Sequence, residues 1–133
     1  MAEPHPEVVD PQHPLLERVR AIALRFPDAV EIMAWGRPTF RAGAGKKVFV
    51  FMGATMEQPF TIAIKPDPLD APALRQDPRF WSPPYWGPSG WLAIAIDEPT
   101  TDWQELTELI DSSYRQVALK RQLQALDLDP VVR

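Results

Sequence analysis

The sequence contains no cysteine. That absence excludes disulfides, thiolate nucleophiles, Cys-ligated zinc and iron–sulfur clusters. Histidine is scarce as well: His5 and His13 are the only two, both in a proline-rich N-terminal stretch. A general base needs fixed geometry, which a solvated arm does not supply, so histidine catalysis is not expected. The longest apolar run, residues 48–54, falls far short of the roughly 18–20 residues needed to cross a bilayer. The chain does not open on a basic-then-apolar leader, and a cytoplasmic protein without a membrane partner is the expectation. Cations are in deficit: 14 Lys and Arg against 18 Asp and Glu give a net charge of −4. That balance disfavours non-specific binding to phosphates.

What the chain does have is enough apolar residues, 45% of 133, to build one domain with a core. It also has 16 prolines, which lack an amide donor and divide the sequence into short elements. Residues 1–14 hold Pro4, Pro6, Pro11 and Pro14 and read as a flexible arm; residues 15–129 read as a single domain. A first helix is expected over 15–26, with Leu16, Val19, Ile22 and Phe26 on one face and Pro27 closing it. Strand patterns follow at 30–35, 39–42, 47–52 and 60–65, with Gly43-Ala44-Gly45 supplying a hairpin turn. A short helix at 69–76 tolerates Pro72 only in its first turn. Residues 77–90 read as an aromatic loop, and 91–96 as a strand with Leu92, Ile94 and Ile96 on one face. The last helix is capped by Asp102, carries Trp103, Leu106, Ile110, Tyr114, Val117 and Leu123 at helical spacing, and stops at Pro130. No internal repeat occurs. The order gives a two-layer α+β fold, α-β(3)-α-β(2)-α, its mainly antiparallel sheet covered by helices on one face.

Chemistry is harder to find. Ser82, Ser89, Ser112 and Ser113 lie in no strand–turn–helix elbow. Glu31, Asp67, Asp70, Asp77, Asp97 and Asp102 sit at element ends, where carboxylates commonly cap helices and shape turns. No catalytic residue, metal site or cofactor is assigned. Two features do suggest binding. Arg37, Arg41, Lys46 and Lys47 form the densest basic cluster, with no acid between Ile32 and Met56. Formal ionisation makes that hairpin about +4, opposite in sign to the whole chain. Phe80, Trp81, Tyr85, Trp86 and Trp91 crowd a stretch stiffened by Pro83, Pro84 and Pro88. Such rings lose little entropy on binding and suit a recognition surface; they equally suit a lid that completes a thin core.

Several segments together resemble the MmcQ/YjbR family of small bacterial proteins. They are Trp35-Gly36-Arg37-Pro38-Thr39-Phe40, Lys47-Val48-Phe49, Ile64-Lys65-Pro66-Asp67 and Asp77-Pro78-Arg79-Phe80. Pro83-Pro84-Tyr85-Trp86-Gly87, Gly90-Trp91, Asp102-Trp103, Ser113-Tyr114 and Lys120 continue the match in order. The resemblance implies the α-β(3)-α-β(2)-α domain called double-wing or CyaY-like. It also implies DNA binding, a label that rests on fold comparison and not on a catalytic motif.

Three functions are therefore in view. The first is a non-enzymatic domain binding DNA or other nucleic acid through Arg37, Arg41, Lys46, Lys47, Lys65 and Arg79, with exposed rings such as Trp81 or Trp86 stacking on unpaired bases; Trp35, Tyr85 and Trp91 join them as aromatic residues of either recognition or core. The second is an adaptor that uses the aromatic loop to engage a protein partner. The third, ranked last, is a small-molecule or enzymatic pocket near Lys65 and Asp67.

Overall fold

The computed structural model describes residues 6–128. Along the chain come α1 (Pro14–Ala23), β1 (Val30–Ala34), β2 (Arg37–Arg41), β3 (Val48–Met52), β4 (Thr61–Ile64), α2 (Ala71–Gln76) and β5 (Phe80–Trp81). A 3-10 turn at Gly87–Ser89 leads into β6 (Leu92–Ala95), followed by α3 (Trp103–Val117) and α4 (Lys120–Leu128). The six strands lie in the order β1-β2-β3-β4-β6-β5, antiparallel at every pairing. This is the expected α+β class.

The main core forms where α1, α3 and α4 lay their apolar stripes on one sheet face. Leu16, Val19, Leu106, Ile110, Tyr114 and Leu126 meet Phe40, Phe49, Ile62, Ile64 and Leu92 there. The β6 alternation comes out as the sequence implies: Leu92, Ile94 and Ile96 face this core, while Trp91 and Ala93 face away.

Strand β3 is buried along its whole length because it lies inside the sheet with a core on each face, and it carries a bulge. Phe40 lies opposite Val50 but Arg41 lies opposite Val48, which leaves Phe49 as the extra residue. Phe49 and Val50 both enter the helix-side core, whereas Val48 and Phe51 join the other face. A bulge frees a backbone carbonyl, and α3 satisfies it. Ser113 Oγ donates to the Phe49 carbonyl at 2.5 Å and accepts from the Lys65 amide at 2.8 Å, tying α3 to β3 and the end of β4. Ser113→Ala leaves both groups without that partner, and a loss of roughly 1–3 kcal/mol is expected. A urea titration that returns the wild-type midpoint would contradict this.

Several elements differ from the sequence expectation. Helix α1 spans Pro14–Ala23, not 15–26: Pro14 takes the first helical position and residues 24–26 form a separate turn that still buries Phe26. His13, expected on a loose arm, caps α1 by accepting from the Leu15 amide at 3.1 Å, and its ring lies 4.5 Å from Phe60. Residues 8 and 9 lie against the domain: the Val8 amide donates to the Gly36 carbonyl at 2.9 Å, and Val9 enters the main core. His5 falls outside the described residues.

The aromatic loop contains the two-residue strand β5. The final helix is broken after Val117, where Ala118 is extended (ψ 153°). Gln122 organises the break. Its Oε1 accepts from the Leu119 amide, as a residue three positions into a helix does in a capping box, and its Nε2 donates to the Ala42 carbonyl and to Asp28. Those bonds, with the Arg121–Asp28 ion pair at 2.7 Å, turn Leu126 into the core. The Gln122 hydrogen bond first and Arg121 second hold the Asp28 carboxyl below its usual range. Pro130, expected to end the last helix, lies outside the described residues.

Candidate nucleic-acid interface

Strand alternation decides which β2 side chains leave the core. Phe40 points toward the helices, so Arg37, Thr39 and Arg41 share the opposite face with Phe51 and Val48. Arg37 and Arg41 stand four residues apart, roughly 13 Å along the strand. Beyond Arg41 the chain turns at Gly43 (φ +114°) and Gly45 (φ +74°), exposing Lys46 and Lys47 at the ribbon tip. The two lysines also wall a depression completed by Val117, Leu119 and Gln122 on the helix side.

Among the described residues, ion pairs engage Arg20, Arg79, Arg115 and Arg121, and none engages Arg37, Arg41, Lys46, Lys47 or Lys65. Glu31, the last acid before the ribbon, is held on the helix side by Arg20. Among the described residues, the ribbon's cations therefore make no ion pair.

Arg79 belongs elsewhere. Its guanidinium bridges Glu105 at 2.8 Å and Asp77 at 2.7 Å, and these carboxylates push its pKa still higher. It precedes β5 at the far edge of the sheet, four strand positions and roughly 19 Å from β2 by strand spacing. Lys65 follows β4 at the same end of the sheet as the ribbon tip, since Ile64 lies opposite Val50. The six cationic candidates thus do not form one patch: Arg37 and Arg41 share a face, Lys46 and Lys47 occupy the tip, Lys65 is nearby and Arg79 is apart.

The aromatic residues divide by burial. Trp91 is 5% exposed and packs with Phe51, Ala63 and Ala93 in a second, smaller core on the face away from the helices. Trp86 lies over it, ring centroids 4.7 Å from Trp91 and 4.8 Å from Phe51, and Trp81 packs at its margin. Trp35 is 45% exposed and meets Trp86 edge to face at 6.0 Å, while Tyr85 is 96% exposed. The loop is therefore lid and surface at once.

Trp35 and Tyr85 share an uncommon backbone. Their φ angles, +55° and +66°, lie in the left-handed region, where a bulky side chain costs roughly 1–3 kcal/mol. With Gly36 at φ +74°, Trp35 forms the two-residue connection between β1 and β2, a turn whose first position ordinarily takes Asn, Asp or Gly. Arg37 braces this turn: its Nη1 donates to the Trp35 carbonyl at 2.9 Å and its Nε to the Gly53 carbonyl at 2.5 Å.

The other candidate chemistry is structural. Asp67 and Asp77 accept from nearby turn amides, and Asp102 caps α3 through the Gln104 and Glu105 amides. Among the described residues no group of three His, Asp or Glu could hold a metal ion. A surface depression of about 370 Å³ beyond β4 is bordered by Pro66, Leu69, Asp70 and Glu108, but not by Lys65 or Asp67. Sequence reasoning missed Thr39 and Phe51, which floor the face between the arginines and the rings, and the strap at residues 6–9. Thr39 and Phe51 follow from β2–β3 pairing. The strap has no periodic signal.

Fold and site together define a small α+β domain with one sheet face packed by helices, the other lidded by tryptophans, and a basic β-ribbon beside the lid. The YjbR family model matches residues 24–116, more than half of the chain, and the chain belongs to the YjbR family. A solved structure, Deinococcus radiodurans protein DR2400 with its DUF419 domain, superposes with a TM-score of 0.68. The alignment covers 89% of this chain and 93% of that one at 21% identity, a likeness of fold. No curated protein matches the chain. No helix among the described residues is long and apolar enough to cross a membrane.

Proposed function

We propose that this protein binds nucleic acid at the β2–β3 ribbon, with Arg41, Lys46 and Lys47 meeting phosphates and Lys65 adding to the field. The observation that carries this reading is that, among the described residues, no acid forms an ion pair with these cations in a chain of net charge −4. Arg20, Arg79, Arg115 and Arg121 are each held by carboxylates; the ribbon cations are not. Arg79 is dropped from the interface because two carboxylates already hold it.

Fluorescence anisotropy of a labelled oligonucleotide, titrated across a salt series, tests the proposal. Binding is expected at low salt, with log K falling linearly as log salt rises, by roughly 0.7–0.9 per phosphate contact. Reversing Lys46 and Lys47 to glutamate removes two contacts and adds repulsion. The slope should shrink by about 1.4–1.8, with affinity falling on the order of 100-fold. Absence of binding by the wild type at low salt would overturn the reading. An adaptor role is the second reading, favoured by the solvent-facing Tyr85 ring, and it predicts that Tyr85→Ala weakens a protein contact without touching the salt slope.

A further inference from the structure

We infer that the nucleic acid is taken as a single strand, with an unpaired base stacked on Trp35, and that Arg37 is a positioning residue for that ring and not a phosphate contact. The inference rests on the nucleic-acid reading above and names the form of ligand that the same site takes.

A two-residue turn with positive φ at both positions is readily made by Asn-Gly or Asp-Gly. Here the first position is tryptophan, the largest side chain there is, in a conformation that side chains avoid. The turn therefore does not explain the ring. The ring does not complete the core either, because close to half of the residue is open to solvent.

The turn is also fixed from two sides. Arg37 forks between the Trp35 and Gly53 carbonyls. On the other side the Val8 amide bonds the Gly36 carbonyl, and a Cβ at Gly36 would fall 1.8 Å from the Pro6 carbonyl oxygen. Gly53 is covered too, less tightly, with Val8 Cγ1 2.9 Å from where its Cβ would stand. A ring held this firmly and left half-exposed loses little freedom when a flat partner lands on it. Trp86, backed by Phe51 and Trp91, supports it edge-on.

The partner's form follows from reach. In a duplex the base faces are already stacked on one another and closed to a side chain. In a single strand every base offers a π-face, and alternating stacking with phosphate contact is the common mode of capture. Arg41 stands on the same sheet face as Arg37, which holds the Trp35 turn, at roughly 13 Å from it along β2. Arg37 has its Nε–H and one Nη1–H committed to carbonyls, which fits a brace. A lysine could carry the charge but could not reproduce the fork.

The experiment compares a fluorescein-labelled oligothymidine with a duplex of equal length, using wild type and three variants. Trp35→Gly removes the ring while suiting the backbone at positive φ, so the protein should fold with its thermal midpoint kept. Its affinity for oligothymidine should fall roughly tenfold or more, with the salt slope unchanged. Trp35→Phe should restore most of that loss. Arg37→Lys should also weaken single-strand binding several-fold at constant slope, with a change in tryptophan emission reporting the displaced ring. Equal affinity for duplex and single strand, wild-type binding by Trp35→Gly, or wild-type binding by Arg37→Lys would each overturn the inference while leaving the ribbon reading intact. A wild type that binds neither oligonucleotide at low salt would overturn both.

Discussion

Tyr114→Ala is expected to lower the unfolding free energy by roughly 3–5 kcal/mol, the range for removing a large buried ring. Tyr114 is fully buried in α3, where its ring stands 4.9 Å from Phe26 and 5.1 Å from Phe49. The three rings join the turn after α1, strand β3 and helix α3, so a cavity at Tyr114 loosens all three at once. The hydroxyl donates to the Pro27 carbonyl at 2.7 Å, fixing the turn that leads into β1. Tyr114→Phe keeps the ring and loses only this bond, so about 1 kcal/mol is expected. Burial, with a smaller push from Asp28 against the opposing Arg121, raises the Tyr114 pKa to about 12.

Because the folded state holds the proton more tightly than the unfolded chain, this contribution is complete below pH 10 and is lost as pH rises from about 10 through 12. Urea midpoints measured from neutral pH upward should fall more steeply in that window for wild type than for Tyr114→Phe. Parallel curves would mean that the hydroxyl is not buried as described.

Helix α3 and its packing were legible because the information is local. Asp102 caps the two amides that its position predicts, and Leu106, Ile110 and Tyr114 turn inward at helical spacing. The break at Ala118 was not legible, since the helical spacing of apolar residues runs on through Leu123. The break is set by Gln122 bonding Asp28 and Ala42, contacts across 94 and 80 residues. Strand β5 escaped for another reason: two residues cannot display alternation.

At the site, the basic ribbon was readable from charge order and its Gly-rich turn. The loss of Arg79 to Glu105 depended on a pair 26 residues apart, which spacing does not reveal. The Trp35 turn was hidden because tryptophan is not a turn signal. The aromatic loop could be read either as surface or as core, and both descriptions hold, for different rings.

That division makes Trp91→Ala the sharpest test of the lidded face. Trp91 stands beside Phe51 and beneath Trp86, over a floor where Ala63 and Ala93 are fully buried. The small floor residues leave room for the large rings, and neither can relax into the space that Trp91 would vacate. A cost of roughly 3–5 kcal/mol is expected, which in a domain of this size lowers Tm by on the order of 10 °C or more.

Trp86 would lose its backing, and the support it gives to Trp35 would weaken with it. Stability and oligonucleotide affinity should therefore fall together in Trp91→Ala. In Trp35→Gly, by contrast, affinity should fall alone. Calorimetry and anisotropy on the same two proteins separate the lid from the platform. A Trp91→Ala variant with wild-type Tm would show that these rings do not form a second core, and Trp35 would then have no rigid support from which to stack.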